Sequence, residues 1–133
     1  MKASKGEKDQ IEPTKSELEI LQVLWKSGPA TVRSVNEQLN KERREVQYAS
    51  TLKLMQLMVE KGLLRREGSG IKHIYEAAIE EEKTKSYLLD RFIETMYNGS
   101  VGSLMMQVLG NKKASAKDLD LIRQMLKDKG KNL

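Results

Sequence analysis

Cysteine is absent from the 133 residues of this chain, which excludes disulfide bonds, thiol nucleophiles and thiolate metal sites. The single histidine, His73, excludes histidine-rich metal sites and leaves one obvious candidate for a general base. No long apolar run is present, so we expect no membrane span. The charged N-terminus lacks the apolar segment of a secretory signal. We therefore expect a cytoplasmic protein that uses no metal and no other cofactor.

Aromatic residues are also few, with one Trp, one Phe and four Tyr, so Leu, Ile, Val and Met must fill the interior. The net charge of +5 is spread evenly along the chain and is a weak guide to partners. Its local placement is more informative, because Lys61, Arg65, Arg66 and Lys72 lie close together with only Glu67 to oppose them. Such a cluster is expected where a protein contacts phosphates; the alternative is a solvated basic face.

Apolar periodicity and capping residues predict three helices in the first half of the chain. The first opens near Pro13, where Ser16 and Glu19 fit a capping box, and Gly28 ends it.

The second helix begins at or just before Thr31 and ends at a polar break, residues 40–45. The third helix covers about residues 47–61 and carries Leu52 or Thr51 at the edge of its apolar stripe. Gly62 follows it in the position that favours a left-handed residue.

Two short strand-like runs, residues 63–67 and 71–77, flank Gly68-Ser69-Gly70, which can turn tightly. The alternation of the second run does not show which of its sides faces the core. Three helices followed by a basic β-hairpin are the outline of a winged helix-turn-helix, which presents one helix to the major groove of DNA.

The second half of the chain is predicted to form three more helices, at residues 80–97, 101–109 and 115–126, followed by a basic tail. These helices are too few and too apolar to form a secure core of their own, so we expect them to pair with a second copy. The alternative is a monomer in which they pack back on the N-terminal domain. The residues predicted to form the dimer interface are Leu89, Phe92, Ile93, Met96, Leu104, Met105, Val108, Ile122 and Met125.

The predicted fold class is therefore mainly α, a winged helix-turn-helix followed by a three-helix dimerisation module. The predicted divisions are a flexible tail at 1–12, the DNA-binding domain at 13–79, the dimerisation module at 80–128 and a tail at 129–133.

The candidate base contacts lie at the start of the third helix, where side chains can reach base edges by hydrogen bonding or methyl contact. They are Gln47, Tyr48, Ala49, Ser50 and Lys53. For Gln47 and Ser50 the alternative is simple capping of the helix, while Tyr48 is either a phosphate ligand or a packing residue. The candidate phosphate contacts are Arg43 and Arg44 before the helix, and Arg65, Arg66 and Lys72 on the wing.

No arrangement of residues typical of an enzyme is found. The chain has no nucleophile elbow, no phosphate-cradling loop and no paired histidines. We interpret His73 as a structural strand residue rather than as a ligand. We expect no catalytic residues and no metal ligands.

Five segments taken together are similar to a known family. They are Ser16–Trp25, Ala49–Gly62, Ile71–Ala77 with its Tyr75, Phe92–Leu104 and Ser115–Leu126. Over residues 13–128 the chain resembles the penicillinase-repressor and methicillin-resistance-repressor family of bacterial transcription factors. The resemblance implies a homodimer that binds a palindromic operator and represses adjacent genes.

The chain departs from that family at three points. Studied members are released by a sensor protease that cuts an Asn-Phe bond after the elbow at Asn98-Gly99-Ser100, and Gln107-Val108 stands there in this chain. Copper-responsive relatives carry a C-terminal cysteine motif, which is missing. The usual Trp-x-Pro before the recognition helix is replaced by Val46-Gln47-Tyr48.

The function predicted from the sequence is a dimeric, sequence-specific repressor that binds a double-stranded DNA operator. Its expected partners are that operator, a second copy of the chain and a sensor protease, with no membrane. Two alternatives stay open: a winged helix that binds proteins instead of DNA, and a regulator gated by a small molecule.

Overall fold

The structure, a computed structural model, describes residues 12–68, 72–111 and 114–131 of the chain. The predicted N-terminal tail therefore lies outside the described residues, apart from Glu12. Within the described ranges the chain forms helices and one β-hairpin. In chain order they are α1 (Lys15–Ser27), α2 (Val32–Glu42), α3 (Tyr48–Glu60), β1 (Leu64–Glu67), β2 (Ile74–Ala77), α4 (Glu81–Tyr97), α5 (Val101–Gly110) and α6 (Ala116–Lys131).

Helix α1 begins two residues earlier than predicted, so the predicted capping box at Ser16 and Glu19 is wrong. Thr14 is the N-cap: its hydroxyl accepts the Glu17 N–H at 3.2 Å, and the Glu17 carboxylate accepts the Thr14 N–H at 2.9 Å. This pairing satisfies two N–H groups that have no partner within the helix. The Thr14–Glu17 capping box forms instead of the Ser16–Glu19 one because Glu17 also accepts a hydrogen bond from Lys61 Nζ at 2.6 Å. This bond connects the start of α1 to the end of α3.

Helix α2 is capped by Thr31, whose hydroxyl accepts the Ser34 N–H at 3.1 Å, and it continues to Glu42. The predicted break at residues 40–45 is therefore placed too early. The helix continues because the Arg43 N–H still reaches the Leu39 carbonyl at 2.9 Å. The connection to α3 is the short loop at residues 43–47.

Helix α3 buries Thr51, Met55 and Met58 on one face. Of the two residues expected at the edge of the apolar stripe, Leu52 is half-buried, whereas Thr51 is almost fully buried. Its hydroxyl is accommodated there since it accepts a hydrogen bond from Asn36 Nδ2 at 2.8 Å. Gly62 follows the helix with a φ of 84°, as predicted for a residue in the left-handed region.

Strands β1 and β2 pair antiparallel, with Leu64 opposite Ala77 and Glu67 opposite Ile74. The second strand begins at Ile74 rather than at residue 71, and the tip, residues 69–71, lies outside the described residues. The Tyr75 side faces the core, since Tyr75 is 2% exposed and also exchanges two backbone hydrogen bonds with Ala30, at 2.8 and 2.9 Å.

The core joins α1, α2, α3 and the base of the hairpin in one apolar cluster. Trp25 packs against this cluster, and its Nε1 donates to the Ile79 carbonyl at 3.1 Å. The fully or nearly fully buried members of the cluster are Ile20, Leu21, Leu24, Val35, Leu39, Met55, Met58, Leu63, Leu64 and Tyr75.

The chain divides into two compact units between Leu88 and Leu89, within α4. The sequence-based division at residues 79 and 80 lies at the start of the same helix and remains a prediction.

In the second unit, α4 ends at Tyr97, and the two residues that follow it, Asn98 and Gly99, both have positive φ. The Gly99 N–H donates to the Ile93 carbonyl at 3.0 Å. The predicted capped start at Ser115 is present, because its hydroxyl accepts the Asp118 N–H at 3.0 Å. The predicted tail from residue 127 is instead helical up to Lys131, since its Lys and Asp residues extend the helix of α6 without a breaking proline.

Candidate nucleic-acid interface

The first turns of α3 form an exposed polar surface on a helix whose opposite face is buried. Thr51, Met55 and Met58 anchor the buried face in the core. The residues predicted to contact bases are all exposed on this helix or at its cap: Gln47, Tyr48, Ala49, Ser50 and Lys53. A rigid helix with a polar first turn is the geometry that helix-turn-helix proteins insert into the major groove.

Gln47 occupies the N-cap position of α3, but its side chain makes no capping hydrogen bond. Its amide thus remains available to a partner, as an adenine contact would require. The backbone alone closes the first turn, since the Gln47 carbonyl accepts the N–H groups of Ser50 and Thr51, each at 3.1 Å.

Tyr48 stands between α2 and the wing. Tyr48 is 45% exposed, and the Arg33 guanidinium lies 5.7 Å from the centroid of its ring, within cation–π range. Arg33 is a candidate contact that the sequence interpretation missed. Its position two residues after the Thr31 cap, at the N-terminus of the helix preceding α3, is the signal that could have identified it.

A groove of about 430 Å³ lies beside Tyr48, between α3 and the segment that leads into β2. Its rim carries the cations Arg33 and Lys72, and its wall includes His73, which lies just before β2 rather than within it. The Nδ1 atom of His73 is buried and has no hydrogen-bond partner among the described residues. The other lining residues are Thr31, Val32, Leu52 and Tyr75.

The side chains predicted to contact phosphates differ in whether they already bond to other side chains. Arg43 is exposed in the loop before α3, whereas Arg44 donates to Glu19 at 3.2 Å and to Ser16 at 3.4 Å. The Arg44 side chain still exposes about half of its surface, so it can anchor the loop and present charge at once.

On the wing, Arg65 forms an ion pair with Glu76 at 3.0 Å, while Arg66 is exposed opposite Tyr75. Consecutive strand residues point to opposite faces of the sheet, so Arg65 and Arg66 cannot meet the same phosphate. Lys72 is exposed at the start of the returning segment. Gly68 closes the described part of the turn with a φ of 103°, and a Cβ there would lie 3.1 Å from the Lys72 carbonyl oxygen.

The ion pair between Glu17 and Lys61 connects the start of α1 to the end of α3. Burial of the Glu17 carboxylate opposes ionisation, but the hydrogen bond from Lys61 and those from Thr14 outweigh it, so the pKa of Glu17 is lowered. Lys61 is paired with Glu17 at 2.6 Å at the end of α3, so the cations of the wing itself are Arg65, which is paired with Glu76 at 3.0 Å, Arg66 and Lys72.

Across the described residues no helix is both long and apolar enough to cross a bilayer. No group of three His, Asp or Glu in the described ranges could hold a metal ion.

These elements define a winged helix-turn-helix: three helices around one core, a two-stranded wing, and an exposed first turn on α3. The family model for the penicillinase repressor matches residues 13–128, and the chain belongs to that family. Members of the family are DNA-binding transcriptional repressors, and so is this protein; the family is not a class of enzymes.

Curated relatives match this chain at low sequence identity. The penicillinase repressor of Bacillus licheniformis is 25% identical over 114 residues, covering 85% of this chain and 88% of its own. The penicillinase repressor of Staphylococcus aureus is 21% identical over 119 residues, covering 90% and 94%. Among solved structures, the solution structure of apo-NmtR covers 77% of this chain and 83% of its own, with a TM-score of 0.44 and 19% identity.

Proposed function

We propose that this repressor acts as a homodimer that binds an inverted-repeat operator, with α3 in the major groove and the wing on the neighbouring backbone. The observation that carries the proposal is the two-sided character of α3. Its first turn is exposed and polar, while Thr51, Met55 and Met58 fix it rigidly to the core. Hydrogen bonds to base edges can specify a sequence only when their donors and acceptors are held in place.

The exposed charges favour DNA over a protein partner for this surface. Lys53, Arg43 and Arg66 are exposed around the first turns of α3 and on the wing, where a protein-binding winged helix would be expected to show apolar residues. The groove beside Tyr48 lies among the same residues, and we assign its cationic rim, Arg33 and Lys72, to the DNA backbone rather than to a small effector.

The proposed homodimer is supported by the apolar side chains that the second unit leaves open. Four of the predicted interface residues are between 46% and 65% exposed: Leu89, Phe92, Met96 and Met125. Leu104, Met105, Val108 and Ile122 are partly buried, and Ile93 is already buried in the single chain, at 7% exposure. Ile93 therefore offers little surface to a second copy, in contrast to its neighbours.

Relief by proteolysis has a structural requirement in this chain. The Gln107–Val108 bond lies inside α5, where the Gln107 carbonyl accepts the Asn111 N–H at 3.1 Å. We expect a sensor protease to cut this bond only after α5 opens locally, since a helical backbone must unwind before it can be cleaved. Limited proteolysis followed by mass spectrometry checks this. A cut at Gln107–Val108 in a chain whose α5 amides remain protected from exchange would contradict it.

The experiment that tests the proposed function is selection of bound sequences from random duplex DNA at physiological salt. We expect an inverted repeat whose half-sites are spaced by about one or two helical turns, as a two-fold symmetric dimer requires. Recovery of no consensus, with binding that depends only on salt, would contradict sequence-specific operator binding.

Lys53 gives a finer test of how α3 reads the operator. If Lys53 contacts a base, Lys53→Ala should weaken operator binding by about 1–3 kcal/mol and relax selectivity at one position of each half-site. Lys26→Ala, which removes an equally exposed cation from the last turn of α1, is the matched control. An equal loss on every DNA sequence would instead make Lys53 a backbone contact.

A further inference from the structure

Hydrogen bonds from side-chain amides hold the loop between α2 and α3. The Val46 N–H donates to Asn40 Oδ1 at 2.9 Å, and Asn40 Nδ2 donates to the Val46 carbonyl at 3.0 Å. The Asn40 amide thus pairs with the Val46 backbone as a neighbouring strand would. This requires one planar group that both donates and accepts, which a carboxylate or an aliphatic side chain cannot supply.

A second amide extends this arrangement into the core. Asn36 Nδ2 donates to the Val46 carbonyl at 3.0 Å and to Thr51 Oγ1 at 2.8 Å. Asn40 Nδ2 in turn donates to the Asn36 backbone carbonyl at 2.7 Å and to Asn36 Oδ1 at 3.3 Å, and the second of these bonds links the two side-chain amides along α2. We call Asn36, Asn40, Val46 and Thr51 the amide network.

Members of the amide network lie directly before and directly after the residues that are proposed to contact bases. Val46 directly precedes Gln47, and Thr51 directly follows Ser50. Both ends of the segment 47–50 are therefore tied to α2 by hydrogen bonds, while the side chains between them stay exposed. Base recognition needs its groups held to about 0.5 Å, so the position of this segment should depend on the network.

Three of the network's hydrogen bonds converge on Val46, the residue directly before the N-cap of α3. We propose that Asn36 and Asn40 are positioning residues for operator recognition: they contact no base but set where the first turn of α3 lies. The inference rests on the proposed function.

The test compares specific and non-specific binding of the full chain. Asn40→Ala removes both bonds to Val46 from an exposed side chain, so the fold should tolerate it. We expect operator affinity to fall by about tenfold, with affinity for an unrelated duplex unchanged, since non-specific binding needs charge but not register. Gln38→Ala is the matched control, because it deletes an amide from the same helix on the surface near Lys26 and Glu42.

A second readout does not depend on DNA. Amide hydrogen exchange of the free protein should accelerate at Val46 in Asn40→Ala, while the amides of Met55 and Met58 in the core of α3 keep their protection. Asn36→Ala should also weaken operator binding, and it adds a loss of thermal stability because the buried Thr51 hydroxyl loses its partner.

The outcomes separate the inference from the function on which it rests. A consensus operator for the wild type, with Asn40→Ala losing specific affinity alone and exchanging faster at Val46, supports the positioning role. A consensus for the wild type with equal losses on both DNAs, or with no loss, overturns the inference alone. No consensus for the wild type overturns the proposed operator binding, and the inference with it.

Discussion

The two compact units of this chain bury their apolar residues to very different degrees. In the first unit Leu21, Val35, Met55 and Met58 have no exposed surface, and one apolar cluster joins the three helices to the hairpin. Among the described residues from Leu89 onward, by contrast, only Ile93 is buried. The first unit is closed, whereas the second leaves apolar surface of the kind that marks an interface.

This difference in burial suggests that the apolar residues of the two units have different roles. A closed core lets α3 present a polar face without compromising the stability of the unit. An open apolar surface is costly in water and would be covered by the second copy in the proposed dimer. Truncation of a methionine or another large apolar side chain should therefore lower folding stability in the first unit and weaken assembly in the second.

The largest effect is expected from truncation in the closed core. Met55→Ala should lower the free energy of unfolding by about 2–5 kcal/mol, because it leaves a cavity where the side chain was fully buried. Urea denaturation followed by the fluorescence of Trp25, the single tryptophan, monitors this unit. Met106→Ala is the control, since Met106 is 75% exposed. Similar losses in the two variants would remove the contrast between the units.

The next effect concerns assembly. Phe92→Ala should weaken the dimer by about 2 kcal/mol, roughly a thirtyfold rise in its dissociation constant, since aromatic residues commonly dominate interface energetics. Sedimentation equilibrium at several protein concentrations measures it. Leu121→Ala is the control, because Leu121 is an exposed apolar residue outside the predicted interface, at 56% exposure against 46% for Phe92. A wild-type chain that stays monomeric at micromolar concentration would contradict the proposed dimer.

A third prediction contrasts the charges of the two units. Replacing Arg65, Arg66 and Lys72 together with Ala should reduce the slope of log affinity against log salt by about three units per protomer, because three phosphate contacts are lost. Replacing three exposed lysines of the second unit, Lys117, Lys127 and Lys129, changes the net charge equally and should leave the slope nearly unaltered. Equal effects would mean that overall charge, rather than the wing, drives binding.

The smallest effect should come from the ion pair within the closed unit. Glu17→Gln keeps a group able to cap α1 but removes the charge that Lys61 binds, so it should cost about 1 kcal/mol at pH 7. Because the pKa of Glu17 is lowered in the folded protein, this contribution is present above the unfolded-state pKa and is lost as the pH falls through the folded-state pKa. The variant and the wild type should thus converge in acid. A constant difference down to pH 2 would contradict the assignment.

Local signals predicted the order of the elements well. Gly28 and Gly62 end their helices with positive φ, and Ser115 with Asp118 caps α6, as expected from short-range chemistry. The capping of α1 was predicted wrongly because Thr14 and Ser16 are each followed three residues later by a glutamate. The choice between them depends on Lys61, which lies 44 residues from Glu17 and comes close only in the folded chain.

The candidate site was accessible to sequence reasoning only in part. The exposed turn at Gln47 to Ser50 and the wing cations followed from pattern and charge, whereas Arg33 over Tyr48 and the role of Thr51 did not. Those contacts join residues 15 apart, Arg33 to Tyr48 and Asn36 to Thr51, across two helices. No local periodicity encodes which side chains meet when α2 and α3 pack.

By itself, the sequence determined the class of this protein: apolar periodicity, caps and glycines specify three helices and a basic hairpin, because helix and turn preferences act over a few residues. Only the tertiary structure decided which cations are free, which of two carboxylates caps α1, and how two asparagines hold Val46. These outcomes depend on groups far apart in the chain whose desolvation and hydrogen bonding are settled together when the core closes.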